Sequence, residues 1–187
     1  MRVLVACEYS GIVREAFKAR GWDAWSCDIL PTEIFGNHYQ GDVFDIIDDG
    51  WNLMIAFPPC TYLTYSGMRN WYDDGRAMKR IKAAEFFMSL YDYSIPYIAV
   101  ENPQGIMNKI FRQPDQVVHP YYFGDPEMKR TCLWLKNLPA LKYRLEDDLF
   151  LKATAVERPE PNRIELCKKK RAIKKQVLYR YNRVRQT

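Results

Sequence analysis

Short runs of residues with strand-forming character alternate with helical patterns over the first hundred positions. Apolar residues three and four positions apart predict two helices, and short apolar or alternating runs ended by Gly, Pro or polar residues predict strands. The predicted strands cover residues 2–7, 23–28, 52–57 and 97–100, the predicted helices cover 12–20 and 76–91, and a short third element covers 42–47.

This alternation of strands and helices predicts an α/β fold, with a mostly parallel sheet that carries helices on both faces. Four polar side chains follow the predicted strands: Glu8, Asp28, Cys60 and Glu101. Ligands of open parallel sheets bind in the crevice outside the carboxyl ends of the strands. We therefore expect these side chains to line one crevice.

Length and composition are those of a folded protein. The chain has 187 residues, of which 48% are hydrophobic, enough for one domain with a sizeable core. No apolar run is long enough to span a membrane, and the first residues lack the features of a signal peptide. The expected location is therefore the cytoplasm, of a bacterium or of a phage-infected host cell, with no membrane partner.

Cysteine and histidine usage argues against a disulfide framework and against a metal site. The chain has two histidines and five widely spaced cysteines, with no Cys-x-x-Cys pair. Structural zinc sites need four closely spaced ligands, and disulfide-rich domains use even numbers of cysteines. We expect no metal and mostly reduced, buried thiols.

Charge is distributed unevenly along the chain. Residues 163–187 hold ten Lys or Arg against one acid, a charge of +9, which leaves −4 for residues 1–162 of a chain whose net charge is +5. A basic tail at 163–187 can bind phosphate backbones, and it can equally be a solvated end. We expect a catalytic domain at 1–140, a reduced extension and linker at 141–162, and the basic tail after them.

The segment FPPCTYLTYSG at residues 57–67 follows a predicted apolar strand. Prolines cannot donate to a sheet, so Pro58 and Pro59 end the strand and hold Cys60 on a stiff loop. A thiolate in a positively charged or helix-dipole environment is a strong nucleophile. Cys60 is therefore a candidate nucleophile, and the alternative for this segment by itself is a buried structural cysteine.

A second polar motif, Glu101-Asn102-Pro103, follows the predicted strand at 97–100. A carboxyl group at a strand end, in the same crevice as Cys60, suits the binding of a ring nitrogen and its neighbouring amino group. The alternative is a glutamate that caps the following turn.

With both motifs in this order, the sequence resembles the DNA cytosine-C5 methyltransferase family over residues 2–139. It is most similar to short members from phages and mobile elements, through matches at 114–116, 123–124 and 132–136. The resemblance implies a Rossmann-like S-adenosylmethionine (SAM)-dependent methyltransferase fold. It also implies an enzyme that methylates carbon 5 of cytosine through a covalent bond between the thiol and C6 of the ring.

The resemblance also implies residue roles. SAM is expected to contact the turn after the first strand, an acid for its ribose, a Gly-Asp pair near its adenine and the start of the Pro-Cys segment. These cofactor residues are Glu8, Ser10, Gly11, Asp28, Asp42 and Phe57. The catalytic residues are Cys60, Pro59, Glu101 and Asn102. The substrate-binding residues are Thr64, Ser66, Gly67, Lys129 and Arg130.

The chain departs from the family pattern in three places. The turn at residues 6–11, ACEYSG, keeps only the last glycine of the glycine-rich turn, and Asn52 replaces an acid before the catalytic strand. Only about fifty residues follow Trp134, too few for the large target-recognition region of typical DNA enzymes in this family.

Three functions therefore stay open. The first is a minimal DNA cytosine-C5 methyltransferase that flips its base and reads little sequence. The second is the same chemistry on a free pyrimidine nucleotide such as dCMP, which the missing recognition region and the acidic body favour. The third is a catalytically silent protein that binds nucleic acid or acts as a decoy, which the altered glycine turn favours.

Overall fold

The computed structural model describes residues 1–65, 75–123 and 129–142. The strands within these ranges are β1 (Arg2–Ala6), β2 (Asp23–Asp28), β3 (His38–Gln40), β4 (Leu53–Ala56), β5 (Tyr97–Pro103), β6 (Gln116–Val118) and β7 (Thr131–Lys136). The α-helices are α1 (Ile12–Lys18), α2 (Arg76–Asp92) and α3 (Met107–Ile110), and short 3-10 helices cover Val43–Asp45 and Pro120–Phe123.

The seven strands form one sheet in the order β3-β2-β1-β4-β5-β7-β6. The first five strands of this order run parallel, and β7 runs antiparallel to both of its neighbours. The strand order changes direction between β1 and β4, which creates the crevice where open α/β sheets bind ligands. The predicted Rossmann-like α/β fold with a mostly parallel sheet is therefore confirmed.

The central strand β1 is buried on both faces, with Val3 through Ala6 fully inaccessible. Alternate side chains of a strand point to opposite faces of its sheet. Val3 and Val5 accordingly pack with residues of α1, Val13 and Phe17. The other face carries the larger core, whose members include Leu4, Met54, Phe87, Leu90, Ile98 and Trp134. Phe87 and Leu90 belong to α2, so the two helices cover opposite faces as predicted.

The boundaries differ from the sequence prediction where backbone geometry or pairing overrides the local pattern. β1 ends at Ala6 because Cys7 has a φ of 60°, in the left-handed region where an extended strand cannot continue. β5 continues to Pro103 because it pairs with the antiparallel strand β7. The element predicted at 42–47 is the 3-10 helix, whose Phe44 amide donates to the side chain of Asp42.

The strands β3, β6 and β7 are absent from the sequence prediction. β3 and β6 are three-residue edge strands, too short to show a period of two. The predicted basic tail at 163–187 and most of the predicted linker at 141–162 lie outside the described residues, so these boundaries stay predictions. No helix in the described part of the chain has the length and apolar character needed to cross a membrane.

A buried arginine joins α1 to the segment that follows β2. The side chain of Arg14 is fully buried. Its guanidinium donates to Ser26 Oγ at 2.9 Å, to the Ile34 carbonyl at 2.6 Å and to Glu15 Oε1 at 2.9 Å. Cβ atoms added at Gly11 or Gly36 would come within 2.7 or 2.8 Å of its Nη2. The guanidinium therefore occupies space that only glycines leave open.

The network continues through His38. Ser26 Oγ accepts from Arg14 and lies 2.8 Å from His38 Nδ1, while His38 Nε2 lies 3.0 Å from the Leu30 carbonyl. A carbonyl can only accept, so Nε2 carries the ring proton, and the Ser26 hydroxyl donates to Nδ1. Arg14, Ser26 and His38 thus hold the segment that follows Asp28, through hydrogen bonds to the carbonyls of Leu30 and Ile34.

We expect Arg14→Met to lower the free energy of unfolding by about 3 kcal/mol, because it leaves the buried acceptors of the guanidinium without a donor. Arg20→Met is the matched control, since Arg20 is exposed and bonds only to the Ala16 carbonyl. The control should change the free energy by less than about 0.5 kcal/mol. Urea denaturation measures both, and equal stabilities would contradict a structural role for the Arg14 network.

Candidate active site

Four predicted site residues lie at or near the carboxyl ends of neighbouring strands. The last register row that β2, β1, β4 and β5 share contains Cys27, Ala6, Ala56 and Val100. Asp28 and Glu101 come directly after this row, and Glu8 and Cys60 lie within a few residues of it. The structure therefore places all four at the same edge of the sheet, beside the change in strand order.

A buried hydrogen bond connects the Pro-Pro-Cys loop to the end of β5. Asn102, which is 1% exposed, donates from Nδ2 to the carbonyl of Pro58 at 2.8 Å. Because a carbonyl cannot donate, this contact also fixes the orientation of the amide. Two residues further on, the Cys60 carbonyl accepts from the amides of Leu63 and Thr64 at 3.0 and 3.1 Å. Cys60 therefore lies at the start of a tight turn anchored to β5.

A second connection lies a few residues further along both loops. Thr64 forms an antiparallel bridge with Gly105, and the Ile106 amide donates to the Leu63 carbonyl at 2.8 Å. A Cβ at position 105 would lie 2.0 Å from that carbonyl oxygen. Glycine is therefore required at 105 for the two loops to meet.

Glu101 and Lys129 form an ion pair at this edge. Lys129 Nζ lies 3.4 Å from Glu101 Oε1, and their side chains are 50% and 17% exposed. The long distance and the exposed lysine make this a weak pair. Arg130, the other predicted basic residue, is exposed immediately before β7. The structure thus brings Lys129 to the predicted catalytic carboxyl, and Arg130 lies beside it in the chain.

The amide oxygen of Asn102 stands out because it is buried and has no hydrogen-bond partner within the described ranges. Leaving a buried acceptor unpaired costs about 1–3 kcal/mol. The same side chain uses its nitrogen to hold the Pro58 carbonyl. The side-chain nitrogen of Asn102 therefore bonds within the fold, and its side-chain oxygen can accept a hydrogen bond from a further donor.

Glu8, predicted as a cofactor contact, caps α1. Its side chain is 6% exposed, and its carboxylate accepts from the amides of Val13 at 2.7 Å and Arg14 at 3.3 Å and from the Ser10 hydroxyl at 3.0 Å. Carboxylates stabilise helix N-termini through these free amides. Gly11 completes the turn at a φ of 76°. A capped helix thus replaces the glycine-rich turn of the family pattern, and a contact between Glu8 and SAM stays a prediction.

The other predicted cofactor residues also lie at the carboxyl edge. Asp28 is half-buried and accepts from the Leu30 amide at 2.9 Å, while Asp42 caps the 3-10 helix through the Phe44 amide. The Phe57 amide donates to the Ala6 carbonyl at 2.9 Å, beyond the end of β4. A half-buried carboxylate at the end of β2 can accept hydrogen bonds from ribose hydroxyls. The residues present therefore fit the adenosine part of SAM.

Three cysteines near this edge are held as neutral thiols. Burial, followed by the charge of Asp28, raises the pKa of Cys7 to about 12 and that of Cys27 to about 12. Burial also raises the pKa of Cys132, although its hydrogen bond with Asn108 opposes the shift. Thiols with such pKa values are poor nucleophiles at neutral pH. Cys60 is half-buried on its loop.

Sequence reasoning missed Arg14 and Gly105. An isolated glycine after a strand signals a close backbone approach, so Gly105 could have been found, whereas the single arginine in α1 gave no signal. Thr64 is placed by its bridge to Gly105, and Ser66 and Gly67 lie outside the described residues. The side chains placed by the structure include no group of three or more His, Cys, Asp or Glu that could hold a metal ion.

No family model and no curated protein matches the sequence. Among solved structures, one similar protein is described as a DNA modification methyltransferase encoded within an Escherichia coli prophage. It has 19% identity and a TM-score of 0.46, over 72% of this chain and 46% of that one. A second is an rRNA methylase from Escherichia coli, with 15% identity and a TM-score of 0.38, over 72% of this chain and 56% of that one. The chain thus spans about half the length of the solved proteins it matches.

We expect Gly105→Ala to separate the two loops, because its methyl group would overlap the Leu63 carbonyl. Overpacking against backbone typically costs about 1–3 kcal/mol, and the released loop should expose Cys60 to iodoacetamide. Gly21→Ala is the control: its φ of 79° carries strain, but nothing lies within 4 Å of the new Cβ. Alkylation of Cys60, followed by peptide mass spectrometry, should rise in the first variant alone, and equal rates would contradict the proposed contact.

We expect Asp28→Asn to stabilise the protein at neutral pH. Burial raises the pKa of Asp28 above its usual value, so the unfolded chain releases this proton at a lower pH than the folded chain. The ionised carboxyl therefore weakens folding at pH above its folded-state pKa. In urea denaturation, the stability difference between Asp28→Asn and the natural protein should shrink as the pH falls through that pKa.

The control for this prediction is Asp23→Asn, which removes an exposed carboxyl that pairs with Arg2 at 3.2 Å. It should not stabilise the protein at any pH. A gain from Asp28→Asn that is the same at every pH would show that the substitution acts through packing and not through ionisation.

Proposed function

We propose that this chain is a SAM-dependent methyltransferase that methylates carbon 5 of cytosine in DNA, with Cys60 as a covalent nucleophile. The observation that carries the proposal is the buried Asn102–Pro58 hydrogen bond of 2.8 Å. This hydrogen bond connects the loop of the half-buried Cys60 to the end of β5, which carries the mostly buried Glu101. A nucleophile and a proton-holding carboxyl on two adjacent strand ends suit attack on a flat heterocycle.

The first step addresses the low reactivity of the ring. C5 of cytosine is a weak nucleophile while the ring is aromatic. Cys60 Sγ adds as a thiolate to C6, which forms a carbon–sulfur bond and moves an electron pair toward C5 and N3. Glu101 holds a proton at N3 and so neutralises the charge that develops on the ring.

When bound, SAM supplies the electrophilic methyl group that C5 accepts. The C5 proton is then lost to solvent, the C6–sulfur bond breaks, and Cys60 leaves as a thiolate while the ring regains its aromaticity. Asn102 keeps the Pro58 carbonyl in place throughout, so Cys60 returns to the same position. Pro59 contributes a fixed backbone that leaves the loop few alternative conformations.

The remaining predicted residues have supporting roles in this proposal. Lys129 pairs with Glu101 at 3.4 Å, so it can exchange that partner for the cytosine O2 or a substrate phosphate, as can Arg130. Thr64, Ser66 and Gly67 follow Cys60 and contribute to the substrate side of the loop. Asp28 and Asp42, together with Ser10, Gly11 and Phe57, would hold the adenosine of SAM, and Glu8 would support this part of the site through its cap on α1.

Methyl-labelled SAM distinguishes this proposal from the two alternatives. The protein is incubated in parallel with duplex DNA, single-stranded DNA and dCMP, and the label is located. Label in DNA supports the proposal, and label in dCMP alone assigns the same chemistry to a free nucleotide. An absence of both label and SAM binding would instead indicate a catalytically silent protein.

We expect Cys60→Ala to abolish methyl transfer and to leave SAM binding nearly unchanged, because the thiol acts on the substrate ring. Cys167→Ala is the control, since it makes the same chemical change outside the proposed catalytic set. Transfer of the label and calorimetric titration with SAM are the two measurements. Continued methylation by Cys60→Ala would exclude the covalent mechanism.

A further inference from the structure

The first two turns of α2 carry an unusual concentration of positive charge. Residues 76–82 read RAMKRIK, with four cations and no acid, and the first turn of the helix contains no acidic residue. Cations oppose the positive end of the helix dipole, and like charges three or four positions apart repel by about 0.2–0.5 kcal/mol per pair. This arrangement therefore does not stabilise the helix that carries it.

The cluster keeps a net positive charge when its acidic neighbours are counted. Asp73 and Asp74 precede the helix, which leaves segment 73–82 at +2, whereas residues 1–162 together carry −4. The cluster is thus a basic patch on an acidic body.

Three of the four cations are available to a partner. Lys79 and Lys82 are exposed and Arg76 is half-exposed. None of the three forms an ion pair with a carboxylate of the described residues. Unpaired charges in this arrangement suit a polyanion that would neutralise them.

An aromatic ring connects this patch to the candidate active site. The Arg76 guanidinium lies 5.5 Å from the centroid of the Tyr62 ring, and Lys79 Nζ lies 5.9 Å from it. Tyr62 is two residues after Cys60, within the turn that the Cys60 carbonyl closes. Cation–π contacts of about 0.5–1 kcal/mol at exposed sites therefore hold two of the free cations beside the loop that bears the proposed nucleophile.

The spacing of the cations indicates the size of the partner. Arg76 and Lys82 are six positions apart, which is about 9 Å along a helix axis. One phosphate group is too small to contact both ends of this row. Successive phosphates of a nucleic acid strand can contact both ends. An anionic membrane is a less suitable partner, because the only large apolar side chains exposed within segment 76–82 are Met78 and Ile81.

We propose that Arg76, Lys79 and Lys82 form a binding surface for the phosphate backbone of a polynucleotide, oriented by Tyr62 toward the Cys60 loop. The role of this surface in substrate binding rests on the proposed function. The inference favours a polynucleotide over a mononucleotide as the substrate. A strand that follows this face of α2 would bring one of its bases to Cys60.

The test compares two double variants that remove the same charge. Lys79→Gln/Lys82→Gln alters the proposed surface, and Lys18→Gln/Arg20→Gln alters the end of α1, on the other face of the sheet. Fluorescence anisotropy with labelled duplex and single-stranded oligonucleotides is measured from about 50 to 200 mM salt. Glutamine keeps a helix propensity close to that of lysine, and circular dichroism checks that each variant folds.

We expect the α2 variant to bind at least about tenfold more weakly at low salt. The slope of log affinity against log salt concentration should also become less negative, by nearly two. The α1 variant should bind like the natural protein. Equal weakening in both variants would mean that overall charge, and not this surface, determines binding. Undiminished binding by the α2 variant, or no binding by the natural protein, would also overturn the proposal.

Further measurements separate this inference from the proposed function. Oligonucleotide binding is measured without SAM, so the surface is tested even if no methyl transfer occurs. If the natural protein methylates DNA and the α2 variant does so with unchanged KM, the function stands and the surface is wrong. Binding of the natural protein to phosphatidylserine vesicles but not to oligonucleotides would assign the patch to a membrane and overturn the proposal.

Discussion

The position of the candidate active site depends on one buried hydrogen bond, from Asn102 Nδ2 to the Pro58 carbonyl. Pro58 and Pro59 have no amide hydrogens, so β4 cannot extend, and the chain must leave the sheet near this point. The Pro58 carbonyl then needs a donor that no strand provides, and the side chain of Asn102 supplies it. A second connection, between Leu63 and Ile106, requires the absence of a side chain at Gly105. Together they hold the Cys60 loop against β5.

The predicted cofactor side of the crevice has buried charged side chains where the family that the sequence resembles uses glycines. Glu8 caps α1 with its carboxylate, and Arg14 fixes the chain after β2 with its guanidinium. Each polar atom in these contacts has a specific partner, as burial in a low-dielectric interior demands. The consequence is a turn that is rigid without being glycine-rich, next to an Asp28 whose pKa is raised by burial. The altered turn is therefore held by specific hydrogen bonds at the carboxyl edge of the sheet.

The two proposals concern the same edge of the molecule at different scales. Cys60 and Glu101 are suited to one heterocycle, whereas the basic face of α2 is suited to the charged strand that carries such a ring. Tyr62 belongs to both, because it lies in the Cys60 turn and contacts Arg76 and Lys79. Such a surface would supply affinity without reading bases.

The sequence by itself determined the elements with strong local signals: the buried strands β1 and β4, the helices α1 and α2, and the polar residues Asp28, Cys60 and Glu101 at strand ends. Hydrophobic periodicity and proline chemistry act over a few residues, so they can be read without coordinates. Tertiary structure decided the order of the strands, the reversed β7, the short edge strands and the contacts of Arg14, Asn102 and Gly105. These features depend on contacts between groups that are distant along the chain and come together only on folding. Local sequence patterns do not predict such contacts.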